Sequence, residues 1–314
     1  MVVLAAILFW LLPFTSLAVA DNTRRLPDND TRPLLKSGEY QRLVANQRKY
    51  LLYVPKSLSA NQSAALVLFF HGGGGHMEQA AKAYGWRETA EREAFVVAFP
   101  NGYSSFPAGR FASWNAGACC ADARDKQIND VAFVKDVLAD IQQQLPIDPL
   151  RVFATGMSNG GMFAHRLACD MAGTFRAIAA VAGTDNTLSC QPARPISVLH
   201  IHALDDDHVL FEGGAGKKAF RNHNKITHFT SVPDTMRRWQ QRLQLDGAAN
   251  RVLNVPGAYA DNWQSKDGRI QLQLVVTTTG GHSWPGGQTV RGKTPSRLVD
   301  ANKLIWQFFQ AQQR

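Results

Sequence analysis

The chain has 314 residues, 45% of them hydrophobic, and 34 Lys and Arg residues against 25 Asp and Glu residues give a net charge of +9. This length can bury a large core and is compatible with one large α/β domain or two smaller ones. The basic residues are not interleaved with stacking aromatics and no known nucleic-acid module accompanies them, so we predict a solvated surface and no nucleic-acid partner. Part of the basic excess lies in two groups: Lys217, Lys218, Arg221 and Lys225, then Arg291, Lys293, Arg297 and Lys303.

The first twenty residues predict a secretory signal peptide. Residues 1–20 carry no charged side chain and end in Ala18-Val19-Ala20, ahead of the polar Asp21. Such an ending is typical of cleavage after Ala20. The run has no Lys or Arg at its start and is long enough to span a bilayer, so an uncleaved anchor is the alternative. We expect a secreted or periplasmic protein without stable membrane insertion after cleavage.

A polar leader over residues 21–45 precedes a regular alternation of strands and helices, which we assign to one domain over residues 46–314. Polar and Pro-containing sequence from Asp21 to about Glu39 predicts a mobile segment. The predicted strands lie at Arg48–Pro55 (an edge strand), Ala65–Phe70, Phe95–Phe99, Arg151–Thr155, Ala177–Ala182, Ser197–His202 and Leu272–Thr277. The predicted helices lie at Glu78–Glu93, Asp130–Leu145, after Ser158, and at Ser296–Gln310. Such alternation predicts a largely parallel sheet flanked by helices.

Cysteine usage agrees with export, since an even count in an exported protein indicates disulfides. Cys169 closes the helix that follows Ser158, and Cys190 follows the next strand and loop. We therefore expect Cys169 to pair with Cys190. Cys119 and Cys120 remain as an adjacent pair or as free thiols, and four buried, reduced cysteines are the alternative.

The stretch from Arg151 to Gly161 carries the strongest functional signal. A β-branched and aromatic strand breaks at Gly156, exposes Ser158 and restarts as a helix, in the pattern G-x-S-x-G. This is the sequence form of a nucleophile elbow, in which a serine hydroxyl stands on a sharp turn above the sheet. Gly156 and Gly160 leave room where a Cβ would crowd that turn. We predict that Ser158 is a nucleophile.

A serine nucleophile needs a base and an orienting carboxylate, which follow it in the order Ser, Asp or Glu, His in this type of site. His282 lies in a glycine-rich loop just after the last strand, so we predict it as the general base. The carboxylate should lie on the loop after Ser197–His202, which contains Asp205, Asp206 and Asp207. Position alone does not choose among the three.

His200 and His202 alternate within a strand and point to one face. We interpret them as packed or hydrogen-bonded core groups. A metal site with the nearby aspartates is the alternative, but no third ligand has a characteristic spacing. We therefore predict no metal and no cofactor.

The oxyanion hole needs two backbone N–H groups. One is expected from Asn159, directly after the nucleophile, and the other from Gly73 in the run His71-Gly-Gly-Gly-Gly that follows a buried strand. This run matches the glycine-rich oxyanion loop of esterases and lipases. We expect His71 to support the loop and to take no part in proton transfer.

Four motifs, in order, resemble the secreted poly(3-hydroxybutyrate) depolymerase-like esterases. They are His71-Gly-Gly-Gly-Gly, Ser113-Trp-Asn-Ala-Gly with Cys119-Cys120, Gly156-Met-Ser-Asn-Gly-Gly, and Gly281-His-Ser-Trp-Pro-Gly-Gly. The resemblance covers about Tyr50 to Phe309. It implies the α/β-hydrolase fold, a mostly parallel central sheet with helices on both faces, and kinship with feruloyl and acetylxylan esterases.

The resemblance also implies site residues. It agrees with Ser158 as nucleophile and His282 as base. The family motif His-Gly-Thr-Ala-Asp-Pro, set on residues 202–207, places the acid on Asp206. Ala203, Leu204, Asp205 and Asp207 depart from that motif, so Asp205 is the second choice.

We therefore expect a serine esterase that acts through an acyl-enzyme on hydroxyalkanoate oligomers or small polyester fragments. A feruloyl or acetylxylan esterase acting on plant polysaccharide esters is the alternative. A serine peptidase of the same fold or a non-catalytic binding protein would be other classes. Trp114 and Trp284 are candidate substrate walls, with a core position as the competing interpretation. Residues 213–229 are a candidate specificity loop.

Overall fold

The computed structural model describes residues 35–59, 62–219, 227–289 and 294–312. The predicted signal peptide, the first part of the leader, and the basic residues Arg221, Lys225, Arg291 and Lys293 lie outside the described residues. No helix in the described ranges is both long and apolar enough to cross a membrane.

A ten-stranded sheet organises the described chain, in the order β1-β2-β4-β3-β5-β6-β7-β10-β9-β8. The six central strands run parallel, and they are β4, β3, β5, β6, β7 and β10. Antiparallel strands flank them on both sides. Strand bounds are β1 Gly38–Leu43, β2 Lys49–Val54, β3 Ala64–Phe70, β4 Val96–Pro100, β5 Ile147–Met157, β6 Ala177–Val181, β7 Ser197–Ala203, β8 Asn250–Val255, β9 Ala258–Gln264 and β10 Gln271–Thr277.

Helices cover both faces of this sheet because the central strands are apolar on both sides. Along β3, Leu66, Leu68 and Phe70 join one core cluster, and Val67 and Phe69 join the other. Helices α4, α5 and α6 pack in the first cluster, and α1, α2 and α7 in the second. Helix bounds are α1 Met77–Ala83, α2 Trp86–Glu93, α3 Ala121–Asp125, α4 Asp130–Gln144, α5 Asn159–Asp170, α6 Val232–Leu243 and α7 Ala301–Ala311.

The structure corrects the predicted organisation at the edges of the sheet. Residues assigned to the leader form β1, so β2 is not the edge strand that its sequence suggested. In β1, half-buried residues alternate with exposed ones, and such a polar sequence resembles coil when sequence is considered alone. The same difficulty hid β8, whose residues are mostly exposed. The predicted helix over Glu78–Glu93 is two helices, which separate at Gly85, where φ is +68°.

Two disulfides link the four cysteines. Cys169 at the end of α5 pairs with Cys190, as predicted. Cys119 pairs with Cys120, which settles the alternative that the sequence left open. Both bonds are consistent with an oxidising compartment.

Candidate active site

The predicted site residues converge at the carboxyl edge of the parallel strands. Loops that follow β3, β5, β7 and β10 carry the glycine run, Ser158, the three aspartates and His282, respectively. These strands are near neighbours in the sheet. Loops at the carboxyl ends of parallel strands face the same crevice, where ligands bind in open α/β sheets.

Ser158 lies between β5 and α5 on a sharp turn. Its backbone has φ +56° and ψ −123°, a region that non-glycine residues rarely adopt and that costs about 1–3 kcal/mol. The turn is tight because a Cβ on Gly156 would lie 2.6 Å from the carbonyl oxygen of Phe70. A Cβ on Gly160 would collide with that same oxygen. The two glycines of the motif therefore allow the helix to start directly against β3.

Ser158, His282 and Asp206 form one chain of hydrogen bonds. His282 Nε2 lies 2.8 Å from Ser158 Oγ. On the other side of the ring, His282 Nδ1 lies 2.8 Å from Asp206 Oδ2 and 3.1 Å from Oδ1. Since a carboxylate only accepts, Nδ1 carries the proton and Nε2 is free to accept from the serine. This is the arrangement that a serine nucleophile and its base require.

The carboxylate of Asp206 is held in its ionised form. Its side chain is fully buried, and burial alone would raise its pKa. Hydrogen bonds from His202 and His282 outweigh burial and hold the pKa of Asp206 well below its usual range. The backbone N–H groups of His208 and Val209 also donate to Oδ1, at 2.8 and 3.0 Å. Asp206 therefore stays charged beside His282 at neutral pH.

The two neighbouring aspartates hold other parts of the site. Asp205 accepts hydrogen bonds from the N–H groups of Gly280 and Gly281, at 3.3 and 2.8 Å, and so fixes the loop that carries His282. Asp207 pairs with His208 and with Lys218. The ring of His208 stacks on His282, with centroids 4.6 Å apart and planes 5° from parallel. Of the three aspartates, only Asp206 therefore forms a hydrogen bond with His282.

Buried histidines support Asp206 from behind, a role that sequence reasoning did not assign. His202 Nε2 faces the carbonyl oxygen of Val209 at 2.8 Å and Asp206 Oδ2 at 3.3 Å. Both partners are acceptors, so Nε2 carries the proton and Nδ1 accepts from His200 Nε2, 3.1 Å away. His200 stacks on His165, and both rings are fully buried. Burial holds the pKa of His165 at about 4, so this imidazole is neutral.

A metal-ligand grouping also exists at this loop, since ligand atoms of Asp206, Asp207 and His208 lie within 4.8 Å of one another. The Asp206 carboxylate is already occupied by two backbone N–H groups and by His202 and His282. The groups that donate to Asp206 therefore leave its oxygens directed at His282 and at the protein backbone.

The glycine-rich loop lies against Ser158 and Asn159. A Cβ on Gly72 would lie 3.4 Å from the Ser158 Cβ, and one on Gly73 would lie 3.6 Å from the Asn159 Cβ. His71 fixes the loop from within, because its Nδ1 donates to the Gly72 carbonyl at 2.8 Å and its Nε2 accepts from the Gly102 N–H at 3.0 Å. Burial lowers the pKa of His71 to about 4, so the ring stays neutral, as expected of a supporting residue.

The prediction that Trp114 and Trp284 are substrate walls is wrong, because both indoles are buried, with 0% and 3% of their surface exposed. Trp114 instead holds together the loops around Ser158. Its backbone N–H donates to Asn159 Oδ1 at 2.7 Å, and its carbonyl accepts from Asn159 Nδ2 at 2.9 Å. Its indole N–H donates to the His71 carbonyl at 2.9 Å. Trp284 packs in the opposite core cluster and donates to Asn302 Oδ1 at 2.7 Å.

The described part of the candidate specificity loop folds back on the aspartate loop. The N–H of Gly216 donates to the His208 carbonyl at 2.8 Å, and Val209 and Ala215 form an antiparallel bridge. The N–H of Gly214 donates to the Phe229 carbonyl at 2.8 Å. Residues 220–226 lie outside the described residues, so a role in specificity stays a prediction.

Solved structures with the same architecture show the fold. An acetyl xylan esterase from Aspergillus awamori superposes with a TM-score of 0.59 at 15% identity, over 88% of this chain and 100% of that one. An S-formylglutathione hydrolase from Agrobacterium tumefaciens gives a TM-score of 0.51 at 15% identity, over 78% and 88%. The fold is the predicted α/β-hydrolase fold. The family model described as "Putative esterase" matches residues 42–273, and the chain belongs to this esterase family.

Curated relatives carry esterase names. "Feruloyl esterase B" of Piromyces equi is 26% identical over 249 residues, 77% of this chain and 44% of that protein. "Probable feruloyl esterase C" of Aspergillus oryzae is 32% identical over 210 residues, 63% of this chain and 69% of that protein. The chain thus spans less than half of the first relative and about two thirds of the second.

Proposed function

We propose that this protein is an exported serine esterase that hydrolyses feruloyl or acetyl esters of plant polysaccharide. The observation that carries the proposal is the hydrogen-bonded series Ser158, His282 and Asp206, built on a strained turn at the carboxyl edge of the sheet. Membership of the esterase family supports the reaction class.

The mechanism is acyl transfer. His282 Nε2 removes the proton of Ser158 as the hydroxyl oxygen attacks the ester carbonyl carbon. The buried Asp206 carboxylate keeps Nδ1–H of His282 in place and stabilises the imidazolium that forms. His282 then returns its proton to the leaving alcohol, and a water molecule, activated by the same base, releases the acid and restores Ser158.

Gly73 and Asn159 are the proposed oxyanion donors. The N–H groups of Gly74 and Gly75 are engaged with the carbonyl oxygens of Ala112 and Gly72, at 2.8 and 3.0 Å, so they are committed within the loop. Asn159 is the first residue of α5, where a backbone N–H has no acceptor within the helix. These features support one donor on each side of the oxyanion.

The proposed substrate differs from the first expectation. Sequence motifs favoured hydroxyalkanoate oligomers, whereas the relatives are named as feruloyl esterases and a similar fold belongs to an acetyl xylan esterase. These names support the polysaccharide ester alternative. The narrower likeness to poly(3-hydroxybutyrate) depolymerases stays a prediction.

Export is part of the proposal. The apolar first twenty residues with their Ala-x-Ala ending support a signal peptide, and the two disulfides are consistent with an oxidising compartment. N-terminal sequencing of the mature protein from its natural host tests this, because an intact Met1 would exclude cleavage after Ala20.

A substrate panel with Ser158→Ala tests the function. We expect wild-type protein to cleave p-nitrophenyl acetate, and the highest kcat/KM within methyl ferulate, acetylated xylan, 3-hydroxybutyrate oligomers and a triglyceride to fall on one of the first two. The kcat of Ser158→Ala should fall below about 0.1% of the wild-type value, since removal of a triad member lowers kcat by more than about 10³-fold. The exposed Ser57→Ala is the matched control.

Each other class gives a different result. Turnover of a peptide p-nitroanilide in preference to every ester would favour a serine peptidase. Undiminished activity of Ser158→Ala would overturn the catalytic assignment. Preference for 3-hydroxybutyrate oligomers would restore the substrate that the sequence motifs suggested.

A further inference from the structure

Two exposed phenylalanines stand out on the described surface. Phe106 and Phe111 are 58% and 65% exposed, and their rings meet edge to face with centroids 5.4 Å apart. Phe111 also has φ +55°, in the left-handed region that a bulky residue rarely adopts. A side chain that is both strained and exposed adds little to the core. Strain of this kind is concentrated at functional sites.

The pair belongs to a segment that is attached directly to the glycine-rich loop. We call residues 103–113 the aromatic hairpin, because Tyr103 and Ser113 pair across its base. The residue after Phe111, Ala112, forms an antiparallel bridge with Gly75. Its carbonyl accepts from the Gly74 N–H at 2.8 Å, and its N–H donates to the Gly75 carbonyl at 3.1 Å. Phe111 is therefore one residue away from the loop that contains Gly73.

Hydrogen bonds hold the aromatic hairpin in place, so its exposed rings are presented on a fixed support. Asn101 Nδ2 donates to the Gly109 carbonyl at 3.1 Å. On the other side, Lys126 Nζ donates to Ser105 Oγ at 2.6 Å. The N–H of Phe106 is bonded to Ser104 Oγ at 3.0 Å. A preorganised aromatic surface loses little conformational entropy when a ligand binds.

The order of strands indicates which half of the ester meets this surface. His282 follows β10, on one side of β5, whereas the glycine-rich loop follows β3 and the aromatic hairpin follows β4, both on the other side. His282 must protonate the leaving alcohol, so the alcohol lies on the His282 side of Ser158. The carbonyl oxygen turns to the proposed donors Gly73 and Asn159, so the acyl chain is the remaining substituent of the carbonyl carbon. It leaves Ser158 on the side away from His282, where the aromatic hairpin adjoins the glycine-rich loop.

We propose that Phe106 and Phe111 form an acyl-recognition surface that packs against the planar ring of a hydroxycinnamoyl-type acyl group. The inference rests on the proposed esterase function and names the part of the substrate that the protein recognises. Edge-to-face or offset stacking between aromatic rings is worth enough to change kcat/KM about threefold to tenfold.

Two esters with one leaving group test the proposal. p-Nitrophenyl cinnamate and p-nitrophenyl acetate share the alcohol and differ only in the acyl group. We expect Phe111→Ala to lower the cinnamate-to-acetate ratio of kcat/KM by about threefold to tenfold, chiefly through KM, and Phe106→Ala to lower it in the same direction. Phe111→Tyr keeps a ring and should restore the wild-type ratio. Leu150→Ala, an equally exposed apolar residue at the amino half of β5, should leave the ratio unchanged.

The outcomes separate the two levels of the proposal. An unchanged ratio in Phe111→Ala, with wild-type cleavage intact, would overturn the acyl-recognition surface and leave the esterase standing. The acyl-recognition surface is equally overturned if the loss tracks the alcohol, for example phenyl acetate against methyl acetate, and not the acyl group. Absence of wild-type cleavage of both p-nitrophenyl esters would overturn the esterase itself. Melting temperatures within a few degrees of wild type show that the variants are folded.

Discussion

Replacing Asp206 with asparagine should disable His282 by reversing its tautomer. Asp206 Oδ1 accepts from the N–H groups of His208 and Val209, and Oδ2 faces His282 Nδ1 and His202 Nε2. Backbone N–H groups cannot become acceptors, so the single oxygen of an asparagine takes the position of Oδ1. Its NH₂ group then takes the position of Oδ2 and points a donor at His282 Nδ1.

The change at Asp206 alters the hydrogen bond between His282 and Ser158, because the two nitrogens of the His282 imidazole exchange roles. A donor opposite Nδ1 forces the proton of His282 onto Nε2, where it faces Ser158 Oγ at the 2.8 Å contact. Such a base cannot accept the serine proton, although the geometry is intact. The expected loss in kcat is about 10⁴-fold, the size found when the carboxylate of a serine-protease triad is replaced by its amide.

The assay is steady-state hydrolysis of p-nitrophenyl acetate at pH 7.5 by Asp206→Asn, with Asp205→Asn as the matched variant. Asp205 holds two N–H groups of the His282 loop, and an amide oxygen keeps one of them, so this variant should lose only about tenfold. The reasoning fails if Asp206→Asn keeps more than a tenth of wild-type kcat, or if Asp205→Asn is the more damaged of the two.

Two further predictions concern stability. His165 has a folded pKa of about 4 against 6.5 in the unfolded chain, so the unfolded state binds more protons between these values. The unfolding free energy should therefore fall as the pH drops from 6.5 to 4, and His165 alone contributes a slope of up to about 1.4 kcal/mol per pH unit. His71 and His200, whose pKa values burial also lowers, add to the same pH dependence. His165→Gln, whose carbonyl can still accept from the Trp239 indole N–H, should therefore reduce the measured slope in urea titrations without abolishing it, and an unchanged slope would contradict the prediction. Gly160→Ala should lower the melting temperature strongly, because its Cβ would collide with the Phe70 carbonyl oxygen, whereas Gly173→Ala meets nothing within 4 Å and should unfold close to wild type. Equal melting temperatures for these two variants would show that the elbow is not tightly packed.

Local patterns were sufficient for the parts of the fold and site that depend on local geometry. The elbow around Ser158 combines spacing with a strand before and a helix after, and both are sequence-local. The position of His282 follows from strand order, because it comes directly after β10. The buried central strands can also be predicted from the sequence, since both faces of β3 are apolar.

The features that could not be predicted from the sequence depend on the direction in which a side chain points. Asp205 and Asp206 are adjacent and chemically identical, and only the turn after β7 sends one to His282 and the other to Gly281. Trp114 and Trp284 flank the motifs along the chain, but their indoles turn into the two core clusters. The exposure of Phe111 could not be predicted, because nothing local marks a left-handed backbone at a phenylalanine.

The order of strands along the chain sets the order in which the site can come into being. Ser158 follows β5, whereas His282 follows β10, which must add beside β7 before His282 can reach Ser158. A nascent chain that ends before β10 contains Ser158 and Asp206 but not His282. Under the proposed mechanism, the growing polypeptide cannot hydrolyse esters until β10 has docked, and the appearance of hydrolysis would report that β10 has joined the described sheet.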